Sequence, residues 1–135
     1  MPCPRDRAFD LARDLELHPK TTGRSRERVV SAPHRLAEMG DEITFEARHF
    51  GLVRRLTAKV VELNPPHSFT DEMLTGPFRR MRHEHRFEAT ESGTCMTDML
   101  EFAFLPVIDQ LVLGPYMKRF LVLRGLELAR LASEM

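Results

Sequence analysis

His83 and His85, separated by one residue, are the side chains of this sequence whose type and spacing best suit chemistry. Two imidazoles at i and i+2 project to the same side of a strand. There they can exchange protons near neutral pH, hold a carboxylate or ligate a metal. Two aspartates match them in parity. Asp71 falls with Phe69, Met73 and Thr75, and Asp98 with Thr94, Met96, Leu100, Phe102 and Phe104. In the histidine segment itself Met81, His83, His85 and Phe87 lie on one side. Arg80, Arg82, Glu84, Arg86 and Glu88 lie on the other, which must face solvent. His49 adds an imidazole to the side that carries Ile43, Phe45 and Ala47.

Each inner face is therefore apolar but holds a titratable group, and burying such groups is costly unless they are paired or hydrogen-bonded. Three readings are open. The aspartates and histidines satisfy one another, with or without a nearby arginine. Or some of them line a pocket and anchor the polar end of an apolar ligand. Or they form an acid–base or metal site, with His49 and a carboxylate completing a histidine-rich shell. The pair of histidines alone fixes no coordination geometry, so no metal, cofactor or catalytic residue is assigned from it. His18, His34 and His67 sit beside prolines and read as loop residues. Met73, Met81, Met96, Met99 and Met117 suit core filling or an adaptable apolar pocket. No glycine-rich phosphate loop or nucleophile motif is present.

The elements that must position these groups follow from periodicity. Ala8, Phe9, Leu11, Ala12 and Leu15 have helical spacing behind Pro4, and a second short helical piece around 15–18 must stop at Pro19. From Glu27 the period changes to alternation. It predicts strands over 41–50, 53–63, 68–75, 79–90 and 94–105, broken by Gly51, Asn64-Pro65-Pro66, Gly76-Pro77 and Glu91-Ser92-Gly93. Breaks this short mean hairpins and an antiparallel meander. Beyond Pro106, Leu113, Tyr116, Met117, Phe120, Leu123, Leu126 or Glu127, and Leu131 recur at helical steps to the C-terminus. The expected fold class is α+β, with a long final helix laid across one sheet.

The 135 residues fit a single domain spanning 1–135, with 42% hydrophobic and 30% charged residues. Twenty basic residues balance twenty acidic ones, which removes the electrostatic case for a nucleic-acid or anionic-membrane partner. Cys3 and Cys95 have neither disulfide-framework nor zinc-site spacing. With no signal-peptide core and no uncharged run of membrane-spanning length, the expected location is cytoplasmic.

Several runs resemble one family. FDLARDLELHPKTT from Phe9, GDEITFEARHFG from Gly40, RLTAKV from Arg55, FTDEMLTGPFRRMRHEHRFE from Phe69 and GTCMTDMLEF from Gly93 are similar to ligand-binding members of the SRPBCC (START-like, helix-grip) superfamily. That superfamily includes polyketide cyclase/dehydrase-like proteins, START lipid-transfer domains and the major birch pollen allergen. The resemblance implies two small helices, a six-stranded meander whose first strand is 28–36, and a final helix gripped by a curved sheet over an apolar cavity. Members usually begin with a further strand, for which Met1-Pro2-Cys3-Pro4 leaves no room. Either the start lies upstream, or one strand is lacking and a bare sheet edge invites a homodimer.

Phe45, Phe69, Met73, Met81, Phe87, Phe102, Tyr116 and Phe120 are then the expected cavity walls. His49, Asp71, His83, His85 and Asp98 are expected to hold any polar end. Tyr116, the only tyrosine, suits either a place in the cavity or a cap on the core edge. The leading expectation is binding or carriage of a small hydrophobic molecule such as a lipid or polyketide. A cyclase, dehydratase or hydrolase using an Asp–His pair and an interaction module with a collapsed pocket are the alternatives. Fold alone does not choose among them.

Overall fold

Alternation in the sequence becomes one antiparallel sheet of six strands, and the helical spacings become helices at the two ends of the chain. The computed structural model describes residues 1–17, 28–49, 52–103 and 114–134. Within them the order is α1 (Arg5–Arg13), β1 (Arg28–Ser31), β2 (Glu42–His49), β3 (Leu52–Asn64), β4 (Ser68–Thr75), β5 (Arg80–Thr90), β6 (Gly93–Ala103) and α2 (Gly114–Glu134). Strands pair in sequence order, as a meander requires. The five strands expected from alternation appear as β2 to β6, their ends within one residue of expectation wherever the described residues reach them, while residues 50, 104 and 105 lie outside those residues.

β1 is shorter than the 28–36 implied by family resemblance. Its register slips between Val29 and Ser31, and the chain beyond turns back to α1. Leu15 N–H donates to the Arg35 carbonyl (2.8 Å) and Ala37 N–H to the Arg13 carbonyl (3.1 Å). Buried Asp14 takes Arg35 Nε and Nη2 at 3.1 and 3.0 Å. Those bonds satisfy the loop's backbone against the helix end, so a longer strand has no advantage there. Residues 15–17 form a turn, and the rest of the expected second helical piece lies outside the described residues.

α1 begins just after Pro4 and buries Ala8, Phe9, Leu11 and Ala12 against the sheet. Phe9 meets Phe69 and Phe87 edge-on, both at 5.5 Å between centroids, the arrangement that aromatic quadrupoles favour. Ala132 of α2 joins the same cluster. A second cluster of Ala37, Ile43 and Val60, with Phe45 and Val29 at its margin, fills the side under β1–β3.

The final helix forms as expected but is turned about its axis. Leu123, expected inward, is exposed, and of the alternatives Leu126 and Glu127 it is Leu126 that is exposed, whereas Arg124, Leu128 and Ala132 are buried. Residues 120, 124, 128 and 132 make a stripe at four-residue steps. Ala132 is small enough to meet α1 closely, and Arg124 Nη2 donates to the Ala12 carbonyl at 3.2 Å. An apolar count alone cannot see that an arginine leads the inner face.

Ahead of α1, Met1 pairs as a residue of an antiparallel strand does. Its amino group donates to Thr94 O (2.7 Å), and Thr94 N–H donates to Met1 O (2.9 Å). Gly93 permits this docking: its φ is +149°, and a Cβ there would collide with the Met1 carbonyl oxygen. Past Thr94, the outer edge of β6 has no strand partner among the described residues. Among these residues, no helix is long and apolar enough to cross a membrane.

The rotation of α2 predicts contrasting substitutions. Leu128→Ala (2% exposed) should cost about 2–5 kcal/mol of unfolding free energy. Leu126→Ala (63% exposed) should stay within about 0.5 kcal/mol. Urea denaturation followed by circular dichroism measures both, and equal costs would contradict the helix orientation.

Candidate functional site

The register of β5 against its neighbours assembles the polar cluster. Asp71 on β4 stands opposite His83, and Asp98 on β6 stands opposite His85. Because His83 and His85 are two apart, both rings rise from the same face, with centroids 3.8 Å apart and planes tilted by 33°. Asp98 bridges them. Its Oδ1 lies 3.1 Å from His83 Nε2 in a hydrogen bond. The same oxygen lies 2.8 Å from His85 Nδ1, off the line of the ring N–H, so that contact is one of charge rather than a formed hydrogen bond. On the far side, His85 Nε2 is 3.5 Å from Asp71 Oδ2. Phe69 stacks on the His85 ring at 4.2 Å and closes it from below.

Side-chain exposure rises from His85 (4%) through Asp98 (10%) and His83 (13%) to Asp71 (23%), so the cluster opens on the Asp71 side. Burial opposes ionisation of both aspartates, but the imidazoles outweigh it. The His83 hydrogen bond, the close approach of His85 and the charge of both imidazoles hold Asp98 far below the ordinary carboxylate range. Asp71 is lowered against burial by His85 first, then by the charges of His83, His85 and Arg124. For His85, burial pulls the pKa down, and the two flanking carboxylates more than reverse it. His83 is lowered by burial and by the neighbouring charge of His85, which its bond to Asp98 does not offset. The cluster thus draws its two imidazoles in opposite directions, His85 toward holding a proton and His83 away from it.

Arg124 is the member that sequence reasoning missed. It is 4% exposed on α2, its charge acts on Asp71, and its Nε has no protein partner. The signal was its place at a four-residue step between Phe120 and Leu128. Of the expected walls, Met73 and Met81 are half-buried on the face of the cluster, and half-buried Phe102 lies opposite Met81 with its ring 5.7 Å from that of Phe78. Phe120 is half-buried on α2. Phe69 and Phe87 are sealed under α1 with Phe9, and Phe45 belongs to the separate cluster under β1–β3. The side chains of His49 and Tyr116 lie outside the described residues.

The outer face is a lattice of ion pairs. Glu46 takes Arg28 and Arg55 at 2.9 and 3.0 Å, and Arg82 takes Glu72 at 2.6 Å. Such exposed pairs contribute about 0–1 kcal/mol each, and they bind up arginines that composition left unpartnered.

The arrangement of a meander and a final helix has counterparts. A family model described as polyketide cyclase / dehydrase and lipid transport matches residues 1–120. The chain belongs to this family. No curated protein matches the chain. Among solved structures, the polyketide cyclase/dehydrase-type chain superposes on protein Ms6760 from Mycobacterium smegmatis with a TM-score of 0.75 at 19% identity, covering 99% of this chain and 87% of that one. A Rhodobacter sphaeroides protein gives 0.76 at 16%, covering 100% and 89%. The major latex-like protein 151 of Panax ginseng gives 0.68 at 11%, covering 93% and 87%. At these identities the likeness is one of fold, and it is the curved open sheet with its C-terminal helix that is shared.

The opposed shifts of the two histidines predict a dome of stability against pH. His85, raised, stabilises fully below the ordinary histidine pKa of about 6.5 and loses that contribution as pH rises through its folded value. His83, lowered, resists protonation in the folded state, so stability also falls as pH drops below about 6.5. His85→Asn should flatten the alkaline limb and His83→Asn the acid limb. Urea midpoints between pH 5 and 8 test this, and a slope unchanged in both variants would refute it.

Proposed function

We propose that this family member is a cytoplasmic binder or carrier of a small hydrophobic molecule, a lipid, polyketide or similar compound, held between the concave face and α2. The observation that carries the reading is one polar cluster, Asp71, His83, His85 and Asp98 with Arg124 near it, set on an otherwise mostly apolar face. The family's description as lipid transport and polyketide cyclase/dehydrase supports hydrophobic ligands as a class. Met73, Met81, Phe102 and Phe120 are the apolar contacts of this reading. The Asp71 side, being the most open, meets the polar end, with Arg124 Nε as a buried donor awaiting an acceptor.

Native mass spectrometry of protein purified from its source should retain an apolar compound, and cis-parinaric acid should bind saturably to stripped protein. Asp98→Asn should weaken a ligand with a polar end about tenfold, the equivalent of about 1.4 kcal/mol, and leave a plain hydrocarbon probe unchanged. Bare protein that also fails to bind the fatty acid would refute the reading.

A second reading is favoured by the His83–Asp98 bond, in which a carboxylate orients an imidazole whose pKa burial lowers. A cyclase or dehydratase of that kind should lose turnover in His83→Ala with the fold intact. The open β6 edge supports the homodimer expectation: light scattering should show a mass that rises with concentration, and a constant monomer mass would remove it.

A further inference from the structure

The chemistry of the cluster admits more than mutual neutralisation. One ligand atom from each of Asp71, His83 and His85 lies within 4.8 Å of the others. His85 Nε2 and Asp71 Oδ2 are 3.5 Å apart. Two ligands bound at about 2.0–2.1 Å to one tetrahedral ion stand about 3.4 Å apart, so this pair already has the spacing of ligands sharing an ion. Two residues of the set come from one strand at i and i+2, and the third stands directly opposite on β4. A strand pair fixes such positions more rigidly than loops do.

Asp98 has the place of an orienting carboxylate. Its Oδ1 faces one nitrogen of each ring, Nε2 of His83 and Nδ1 of His85. A nitrogen that close to a carboxylate oxygen carries its proton toward it, which leaves the other nitrogen of each ring as the position for a metal. Carboxylate–histidine pairs behind a metal work in this way, fixing tautomer and ring orientation. The buried His85 Nδ1 lies 2.8 Å from the Asp98 oxygen without a formed hydrogen bond, so a donor there faces the carboxylate and has no other partner among the described residues.

We propose that Asp71, His83 and His85 bind one divalent first-row transition-metal ion, with Asp98 as the carboxylate that orients both imidazoles. Two imidazoles and one carboxylate select zinc, cobalt, iron or manganese over magnesium and calcium, which take shells of oxygen. Three protein ligands leave coordination positions open on the Asp71 side, where the cluster is most exposed. Those positions face the space in which the polar end of a ligand is read above, so the ion would take that ligand's oxygen. The inference shares its residues with the proposed function, and the two fail separately.

The experiment titrates chelator-stripped full-length protein with cobalt(II) and follows ligand-field absorption, with zinc followed by calorimetry. One ion per chain is expected. Asp71→Asn and His85→Asn should abolish uptake, and Asp98→Asn should weaken it about 10- to 100-fold. His34→Ala should change nothing, because exposed His34 pairs with Asp41 outside the cluster and controls for adventitious binding. If His85→Asn fails to fold by circular dichroism, Asp71→Asn, at the open edge of the cluster, decides. No saturable binding below 1 mM, on the order of ordinary weak association, would overturn the inference, as would uptake undiminished in Asp71→Asn or lost in His34→Ala. Binding of cis-parinaric acid by stripped protein without metal uptake overturns this inference alone. Metal uptake without fatty-acid binding supports this inference and counts only against the carrier reading.

Discussion

The pairing of β5 with β4 and β6 is the constraint on which the rest depends. It sets Asp71 opposite His83 and Asp98 opposite His85, and it turns all four inward. A slip of β5 by one residue would carry Arg82, Glu84 and Arg86 to the inner side and His83 and His85 into water, leaving Asp71 and Asp98 without them. The register is secured from both faces. Inside, Phe69 and Phe87 lock against Phe9 of α1, while outside the directly opposed Glu72 and Arg82 form an ion pair.

Helix and sheet are joined around the same place. Arg124 reaches the end of α1 through the Ala12 carbonyl while its charge acts on Asp71. A buried guanidinium is costly unless paired. Here its partners are a helix-end carbonyl, which is short of intrahelical donors, and the field of a buried carboxylate. The inner phase of α2 follows from that linkage together with Leu128 and Ala132, and so does the outward placement of Leu123 and Leu126.

The first residue shows how little chain can close part of an edge. Met1 makes both bonds of an antiparallel pair with Thr94, and Gly93 leaves the space for it. The docking of this one residue in register with Thr94 is a long-range pairing that no local pattern in Met1-Pro2-Cys3-Pro4 encodes.

By itself the sequence determined the strands and their inner faces, because a period of two is a local property that burial enforces at every step. It also put Asp71, His83, His85 and Asp98 on one surface, since parity survives any register that keeps the apolar side inward. Tertiary structure decided what parity cannot: which aspartate meets which histidine, and that Phe69 and Phe87 serve the α1 core while Phe45 lies in another cluster. It decided the short β1, whose backbone bonds to α1 rather than continuing in the sheet. It decided the role of Arg124, because a charged side chain on a helix reads as solvent-facing until a neighbouring carboxylate and a helix-end carbonyl hold it inside. Those are long-range pairings, and their energies depend on distances that no local pattern encodes.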